Sequence, residues 1–231
     1  MLAKKYFTVF LTLGCGVLSY ATTLSVLSYV QYFAAKSRMP FADLMMVKID
    51  RIIGPSWTEI YNEVWNSQNI LFVLQTVYNS TFLILLFVVV SLALFKPEQM
   101  WRVLIANAIC GPLVLMIFAL LPTLGPEHTL GLINQFPKVD QEIMLIREGL
   151  LGIPAIGPDA GLVFFPSYHT VVITLTVYGA SVLPWYIRWS VNGWSTITLL
   201  AVAPIGGHYY VDILVGMSLV CSVIYVISGQ K

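Results

Sequence analysis

The chain has 231 residues, of which 58% are hydrophobic and 10% are charged, and its formal net charge at pH 7 is +1. Soluble domains carry about a quarter charged residues, so this composition and the mean hydropathy of +0.83 place the protein in a lipid bilayer. The near-neutral charge argues against a nucleic-acid partner, which requires a basic surface. The three cysteines lie far apart inside apolar runs, as small buried hydrophobic residues do.

Six apolar runs predict six transmembrane helices, since about 20 residues cross the hydrocarbon of a bilayer. They cover residues 6–33, 70–95, 101–121, 170–187, 194–205 and 209–227, of which the fifth is short. A short turn at residues 96–98 joins the second run to the third, and another at residues 188–193 joins the fourth to the fifth. A kink is expected in the third span at Gly111-Pro112. No internal repeat is evident. The fold predicted is an all-α integral membrane protein, a six-transmembrane-helix bundle with short interfacial helices, in a single domain over residues 1–231.

The segment between the first two runs predicts two short surface helices. Residues 41–53 mix apolar and charged side chains in an amphipathic pattern, and Gly54-Pro55 then breaks the chain. Ser56 and Glu59 have the spacing of a capping box for the second helix, which carries several aromatic residues. Such helices lie along the membrane surface with aromatic rings at headgroup depth. We favour that interfacial role over a substrate gate.

A long segment, residues 127–165, follows the third run and holds a large share of the charged residues. Residues 141–151 predict a short helix, ended by Gly152 and Pro154. Loops of this length are uncommon unless they are disordered or functional. Because this one leads directly into a histidine motif at residues 166–169, its position favours a functional role.

Two histidine motifs stand at the mouths of apolar runs. His208 and Asp212 open the sixth run and His169 opens the fourth, where ionisable groups are costly unless function retains them. Residues four apart share a helix face, so the Asp212 carboxylate is expected to reach the imidazole of His208, fix its tautomer and stabilise its cation. Each motif has a simpler interpretation, since histidines beside membrane helices are often structural and a single His-x-x-x-Asp is common by chance.

The number of crossings brings the two motifs to one side of the membrane. With six spans, the loop after the third and the break after the fifth lie on the same side, whatever the absolute orientation. Positive charge in short loops orients spans, and the basic short turns favour a cytoplasmic amino terminus. The total Lys and Arg counts of the two sides tie. We therefore expect the site on the outer face.

These residue types favour phosphoryl transfer. One imidazole activated by a carboxylate acts as a nucleophile or base, while a second protonates a leaving group. Ser167 and backbone amides at Gly206 and Gly207 are candidate donors to an anion, and Arg147 is a candidate bidentate phosphate ligand or, equally, a loop or headgroup contact. No cluster of acidic residues offers a magnesium site. The combination predicts metal-free chemistry through a phosphohistidine, with no cofactor. His128 has no partner at a recognisable spacing and is interpreted as structural.

At these motifs the sequence resembles the type 2 phosphatidic acid phosphatase (PAP2) superfamily of membrane lipid phosphatases and phosphotransferases. Residues 166–169 resemble the second motif of that family, Pro-Ser-x-His, and residues 207–212 resemble the histidine-to-aspartate half of its third motif. Six spans with the motifs in these positions are also the layout of the family.

The resemblance implies a role for each site residue. His208 would be the nucleophile, Asp212 its orienting partner and His169 the acid that protonates the leaving oxygen. Ser167 would hold a phosphoryl oxygen, with Tyr168 and Gly207 beside it in the phosphate site.

Two departures separate this chain from the usual pattern. Val202 and Ala203 stand where the third motif normally has Ser-Arg, and the first motif, Lys-x6-Arg-Pro, is absent because Lys138 and Arg147 are too far apart. The pattern is more similar to the branch that contains the inositolphosphotransferases, which pairs Phe-Pro-Ser-x-His with Gly-x-His-Tyr-x-x-Asp. Residues 147–149, Arg-Glu-Gly, resemble an element of bacterial members, which makes Arg147 the candidate phosphate clamp.

The prediction is therefore a phosphatase or phosphotransferase that acts on a lipid phosphate, either a phosphomonoester or a pyrophosphate. A phosphotransferase for inositol phosphate or another headgroup is the alternative. A membrane transporter or lipid-binding protein without enzymatic activity is a competing class, and a zinc site built from both histidines and Asp212 is chemically allowed. The expected location is the bacterial inner (plasma) membrane.

Overall fold

The computed structural model describes residues 2–132, 137–151 and 161–229, and every regular element in those ranges is a helix. The helices in the described ranges are α1 Leu2–Ala35, α2 Asp43–Ile53, α3 Trp57–Asn66, α4 Gln68–Asn79, α5 Thr81–Phe95, α6 Pro97–Leu120, α7 Pro126–Leu130, α8 Pro137–Glu148, α9 Tyr168–Ala180, α10 Trp185–Gly206 and α11 Tyr210–Ser228. The all-α prediction agrees with these ranges.

Three of these helices are long and apolar enough to cross a membrane: α1 over Val9–Ala35, α6 and α11. The pair α4 and α5 adds a fourth crossing if it is one span bent by 45°. Helix α9 has 13 residues, about 20 Å at 1.5 Å per residue. Apolar helices of spanning length make this a membrane protein, while the count of six crossings stays a prediction.

The main core lies where α6 packs against α1, α9 and α11, with α5 closing one side. Its centre consists of fully buried aliphatic side chains, including Leu85, Val88, Val103, Val172 and Leu175. The outward faces are also apolar, with Leu18, Leu83 and Tyr225 more than 60% exposed. Apolar side chains on both the inner and outer faces are typical of helices surrounded by lipid.

The boundary between the fourth and fifth predicted helices is wrong. The sequence predicted a helix to residue 187 and a turn at 188–193, but α9 ends at Ala180 and α10 begins at Trp185. The break is at Pro184, which is the N-cap of α10. Proline disfavours helical backbone at the residue before it and suits the start of a helix, whereas Gly193 is tolerated inside a long helix.

Other helix boundaries also differ from the predicted ones. The second predicted run is divided at Ser80, where the Oγ donates to the carbonyl of Val77 at 2.7 Å. Helix α6 runs without interruption through Pro112, and the kink expected there stays a prediction. Helix α8 ends at Glu148, before the predicted stop at Gly152 and Pro154, both of which lie outside the described residues. Gly149 follows it with φ +74, a left-handed conformation that glycine adopts readily.

Both predicted surface helices form, and Ser56 Oγ accepts the N–H of Glu59 at 3.4 Å as the N-cap of α3. Helix α2 presents an unexpected face to the protein. Its buried side chains are Asp43, Met46 and Asp50, while Leu44 and Ile52 are 72% and 85% exposed. Two acidic side chains, together with Met46, therefore face the bundle, while Leu44 and Ile52 face outward.

Close packing of α9 against α5 depends on Gly179. A Cβ there would lie 2.8 Å from Cγ1 of Val88 and 3.2 Å from Cδ1 of Leu92. We expect Gly179→Ala to lower the free energy of unfolding by about 1–3 kcal/mol, the usual cost of overpacking a core. Thermal unfolding in detergent is the measurement.

Gly193→Ala is the matched control, because a Cβ at Gly193 in α10 meets nothing within 4 Å. Alanine in a helix interior is favoured over glycine by roughly 0.5–1 kcal/mol, so its melting temperature should be unchanged or higher. Equal melting temperatures for both variants would contradict the packing argument.

Candidate active site

His169 and His208 lie side by side. His169 is the second residue of α9, and His208 lies in the break between α10 and α11. Their ring centroids are 6.3 Å apart, and His208 is only 3% exposed. The two rings meet in the folded chain without any assumption about the number of membrane crossings.

The ring of His208 is held through its Nδ1. This nitrogen lies 2.7 Å from the carbonyl oxygen of Phe164 and 3.3 Å from Oδ2 of Asp212. Because a carbonyl oxygen only accepts hydrogen bonds, Nδ1 carries a proton and donates it. The other nitrogen, Nε2, bonds to no described residue, so in the neutral ring its lone pair is free.

Asp212 is fully buried in the first turn of α11. Its Oδ2 accepts the backbone N–H of Tyr209 at 2.9 Å in addition to facing His208. Its main-chain carbonyl accepts the N–H of Ser167 at 3.3 Å. The carboxylate thus brings negative charge to the protonated nitrogen of His208, while its backbone connects α11 with the start of α9.

His169 is held through its Nδ1 as well. The hydroxyl of Tyr78 shares a hydrogen bond with this nitrogen at 3.0 Å, and the two rings stack with centroids 4.2 Å apart. Phe82 meets the imidazole edge-on at 5.1 Å. No described residue bonds to Nε2. Tyr78 lies in an apolar run without any motif, so no sequence pattern marks it as a site residue.

Ser167 is the N-cap of α9 and is fully buried. Its Oγ accepts the N–H of Thr170 at 3.3 Å, which leaves the hydroxyl hydrogen as a donor. A Cβ at Gly216 of α11 would lie 2.9 Å from the carbonyl oxygen of Ser167, so glycine permits this close approach. The positive end of α9 and its cap therefore lie against the helix that carries Asp212.

A family model of the PAP2 superfamily matches residues 44–226, most of the chain. The chain belongs to the PAP2 superfamily. No curated protein and no solved structure matches it. Membership of this superfamily indicates phosphatase or phosphotransferase activity on a phosphate substrate. The matched range begins in α2, ends in α11 and contains both histidines.

Two residues predicted to bind phosphate in this PAP2 protein are engaged elsewhere. The hydroxyl of Tyr168 donates to Oδ1 of Asn107 at 2.9 Å, on α6. Gly207 caps α10 with φ +64, and its N–H donates to the carbonyl of Ala203. An amide at the carboxyl end of a helix bonds back into that helix, so this N–H is not available to an anion.

Arg147, the predicted phosphate clamp, lies against the ring of Phe41, with its guanidinium carbon 3.8 Å from the ring centroid. Burial lowers the pKa of Arg147, and the negative charge of Asp43 opposes that shift. Its Nε and Nη2 are buried and have no hydrogen-bond partner among the described residues. The structure thus places Arg147 beside Asp43 and in no described contact with either histidine.

Three residues of the surface helices were missed by sequence reasoning. Asp43 accepts the N–H groups of Leu124 and Gly125 and the hydroxyl of Tyr209, at 2.9–3.1 Å. Asp50 accepts two N–H groups at the start of α11. Trp57 Nε1 donates to the carbonyl of His208 at 3.1 Å.

Burial raises the pKa of both Asp43 and Asp50, and their hydrogen bonds oppose the shift. Because their periodicity is that of an ordinary surface helix, nothing in the pattern marked these carboxylates as buried. The described residues contain no group of three or more His, Cys, Asp or Glu side chains able to hold a metal ion.

Replacing Asp43 should destabilise the fold. Asp43→Ala leaves the buried N–H groups of Leu124 and Gly125 without their acceptor, at a cost of roughly 2–5 kcal/mol. Asp43→Asn keeps one acceptor oxygen and should be intermediate. Thermal unfolding in detergent measures the difference.

Glu59→Gln is the control, since Glu59 is an exposed acidic residue of the neighbouring helix, and its melting temperature should match the unmodified protein. A similar melting temperature for Asp43→Ala would show that these bonds contribute little.

Proposed function

We propose that this PAP2 protein transfers the phosphoryl group of a lipid phosphate, a phosphomonoester or pyrophosphate, through a phosphohistidine at His208. The observation that carries the proposal is the pair of imidazoles with ring centroids 6.3 Å apart. Each Nδ1 is engaged by the protein, so each Nε2 is left for the substrate. A reacting atom must come within about 3–3.5 Å of its nucleophile, and rings with centroids 6.3 Å apart are close enough to contact one phosphoryl group from two sides.

In the first step, Nε2 of His208 attacks phosphorus and the bond from phosphorus to the leaving oxygen breaks. Formation of the P–N bond makes the imidazole cationic. The Phe164 carbonyl at 2.7 Å and the Asp212 carboxylate at 3.3 Å from Nδ1 stabilise that charge. His169, as the imidazolium, gives its Nε2 proton to the leaving oxygen and becomes the neutral ring. In both forms its Nδ1–H donates to the hydroxyl oxygen of Tyr78 at 3.0 Å, which supports this role because it leaves Nε2 as the nitrogen that exchanges the proton.

In the second step, water or an alcohol attacks the phosphohistidine. His169, now without its Nε2 proton, accepts a proton from the attacking oxygen, the P–N bond breaks and His208 returns to its neutral form. Hydrolysis and transfer thus share every protein group and differ only in the acceptor.

Phosphate binding is assigned to the start of α9. The Ser167 hydroxyl donates to a phosphoryl oxygen there, supported by the positive end of the helix. Arg147, with buried nitrogen atoms that no described residue satisfies, is proposed to turn toward phosphate when substrate is bound. Tyr168 is proposed to keep its place on Asn107 and to hold the helices together.

A lipid substrate is supported by the setting of the site. It lies beside apolar helices of spanning length, so an amphiphile can keep its tail in the bilayer while its phosphate reaches the histidines. The basic short loops support a cytoplasmic amino terminus and a site on the outer face of a bacterial inner membrane. The predicted six spans, together with α2 and α3 at the surface, complete this proposal.

Headgroup transfer in the manner of the inositolphosphotransferases is a second candidate. It is favoured by the Phe-Pro-Ser-x-His sequence of residues 165–169 and by Gly-x-His-Tyr-x-x-Asp over residues 206–212. The absence of the Ser-Arg pair before the histidine, at Val202 and Ala203, agrees with that branch.

A phosphate-release screen across lipid monophosphates and pyrophosphates in detergent tests the proposal. His208→Ala should lower kcat at least about a thousandfold, as loss of a nucleophile does. His169→Ala should lower it by about a hundredfold or more, the usual contribution of a general acid. An added polyol that raises turnover above hydrolysis would favour transfer.

His128→Ala is the matched control, because it removes the one histidine of the sequence that lies outside the two motifs. This variant should retain activity. Full activity in both site variants would exclude the phosphohistidine. If no lipid phosphate in the screen releases phosphate, the transporter or lipid-binding class is favoured. Inactivation by a chelator would favour a zinc site.

Tyr78→Phe tests the support that the Tyr78 hydroxyl gives to the imidazolium of His169. The variant keeps the ring stack but removes the hydroxyl, and one hydrogen bond of this kind contributes about 1 kcal/mol. We expect kcat to fall about tenfold or less with the KM for the lipid unchanged. Tyr225→Phe, at an 81% exposed position of α11, is the control, and equal kcat values for the two variants would remove Tyr78 from the mechanism.

A further inference from the structure

The residues between His208 and Asp212 are held by a helix that is distant in sequence. Oδ2 of Asp50 accepts the N–H of Tyr210 at 2.8 Å, and its Oδ1 accepts the N–H of Val211 at 3.0 Å. Asp50 lies in α2, 160 residues before Tyr210. The carboxylate is thus an N-terminal cap of α11 supplied by another part of the chain.

We propose that Asp50 is a positioning residue that sets the geometry of His208 and Asp212 by fixing the first turn of α11. This inference deepens the proposed function and rests on it for the catalytic meaning of that geometry.

The first N–H groups of a helix have no partner within the helix, and an acidic side chain there is favoured by the helix dipole. Asp50 supplies one oxygen to each of the first two N–H groups of α11, and it is only 6% exposed. A carboxylate has two acceptor oxygens at a fixed separation, so it constrains the direction of the helix start as well as its stability.

The neighbouring contacts make the site sensitive to this direction. Tyr209 N–H donates to Oδ2 of Asp212, and the same oxygen faces Nδ1 of His208 at 3.3 Å, already a long hydrogen bond. Trp57 holds the carbonyl of His208. A small rotation of the first turn of α11 would therefore separate the carboxylate from the imidazole while leaving the rest of the fold in place.

The kinetic test compares Asp50→Ala and Asp50→Asn with Lys48→Gln, an exposed position of the same helix. Because a displacement of about 1 Å in a catalytic group can cost about a hundredfold, we expect Asp50→Ala to lower kcat by roughly tenfold to a hundredfold. The KM for the lipid phosphate should stay within about twofold, since the phosphate ligands on α9 are untouched. Asp50→Asn has one acceptor oxygen and should fall between, and Lys48→Gln should match the unmodified protein.

A second readout requires no turnover. In protein labelled with ¹⁵N-histidine, the resonances of His208 are assigned by their loss in His208→Gln, and they report the tautomer and hydrogen bonding of the ring. Asp50→Asn should shift or broaden them, whereas Lys48→Gln should not. Asn is close to Asp in size, so this variant remains informative if Asp50→Ala fails to fold.

The experiments can reject each of the two proposals independently of the other. If the unmodified protein releases no phosphate, the proposed function fails, and the positioning role is decided by the histidine resonances. Unchanged resonances in Asp50→Asn overturn the positioning role even if the enzyme is active. A lower yield of folded protein with unchanged kcat per folded molecule would make Asp50 a structural residue only and would also overturn it.

Discussion

The hydrogen bond from Nδ1 of His208 to the carbonyl of Phe164 is the contact on which the site depends. It joins the segment before α9 to the break between α10 and α11, and at 2.7 Å it is shorter than the contact with Asp212. Since the carbonyl can only accept, this bond places the proton of the neutral ring on Nδ1. Asp212 then adds a negative charge beside the same nitrogen, and the His-x-x-x-Asp spacing gives no indication of the carbonyl partner.

Helices α2 and α3 form the second constraint. Surface helices usually turn apolar side chains toward the protein and charged ones toward water, and α2 does the reverse at Asp43 and Asp50. Burying two carboxylates is costly unless each is hydrogen-bonded. Here Asp43 accepts two N–H groups between α6 and α7 and the hydroxyl of Tyr209, and Asp50 accepts two N–H groups at the start of α11. The exposed Leu44 and Ile52 of α2 suit contact with lipid and lie apart from the two buried carboxylates.

The sequence was informative where chemistry and hydrophobicity coincide. Histidines at the mouths of apolar runs pointed to the site, and α1, α6 and α11 were evident from their length and hydropathy. Boundaries set by one residue were not evident, as at Ser80 and Pro184. Tyr78 was hidden because its function comes from a tertiary contact in an ordinary apolar helix. The hydrogen bond from the Gly207 N–H to Ala203 was not evident, because the direction of an N–H depends on the helix that precedes it.

Burial of the proposed nucleophile bears on the choice between hydrolysis and transfer. His208 is 3% exposed, so an acceptor must enter between the rings to reach a phosphohistidine. The rate at which water hydrolyses the phosphohistidine then depends on the access of water to the site as well as on the chemical step, because a site that excludes water protects a reactive intermediate. In such a site the identity of the acceptor is selected by the residues around the entrance rather than by the histidines. A cleft of about 360 Å³ between α2, α3 and α7 adjoins the His208 segment, and its lining residues Arg51, Trp57 and Tyr209 are therefore candidates for that selection.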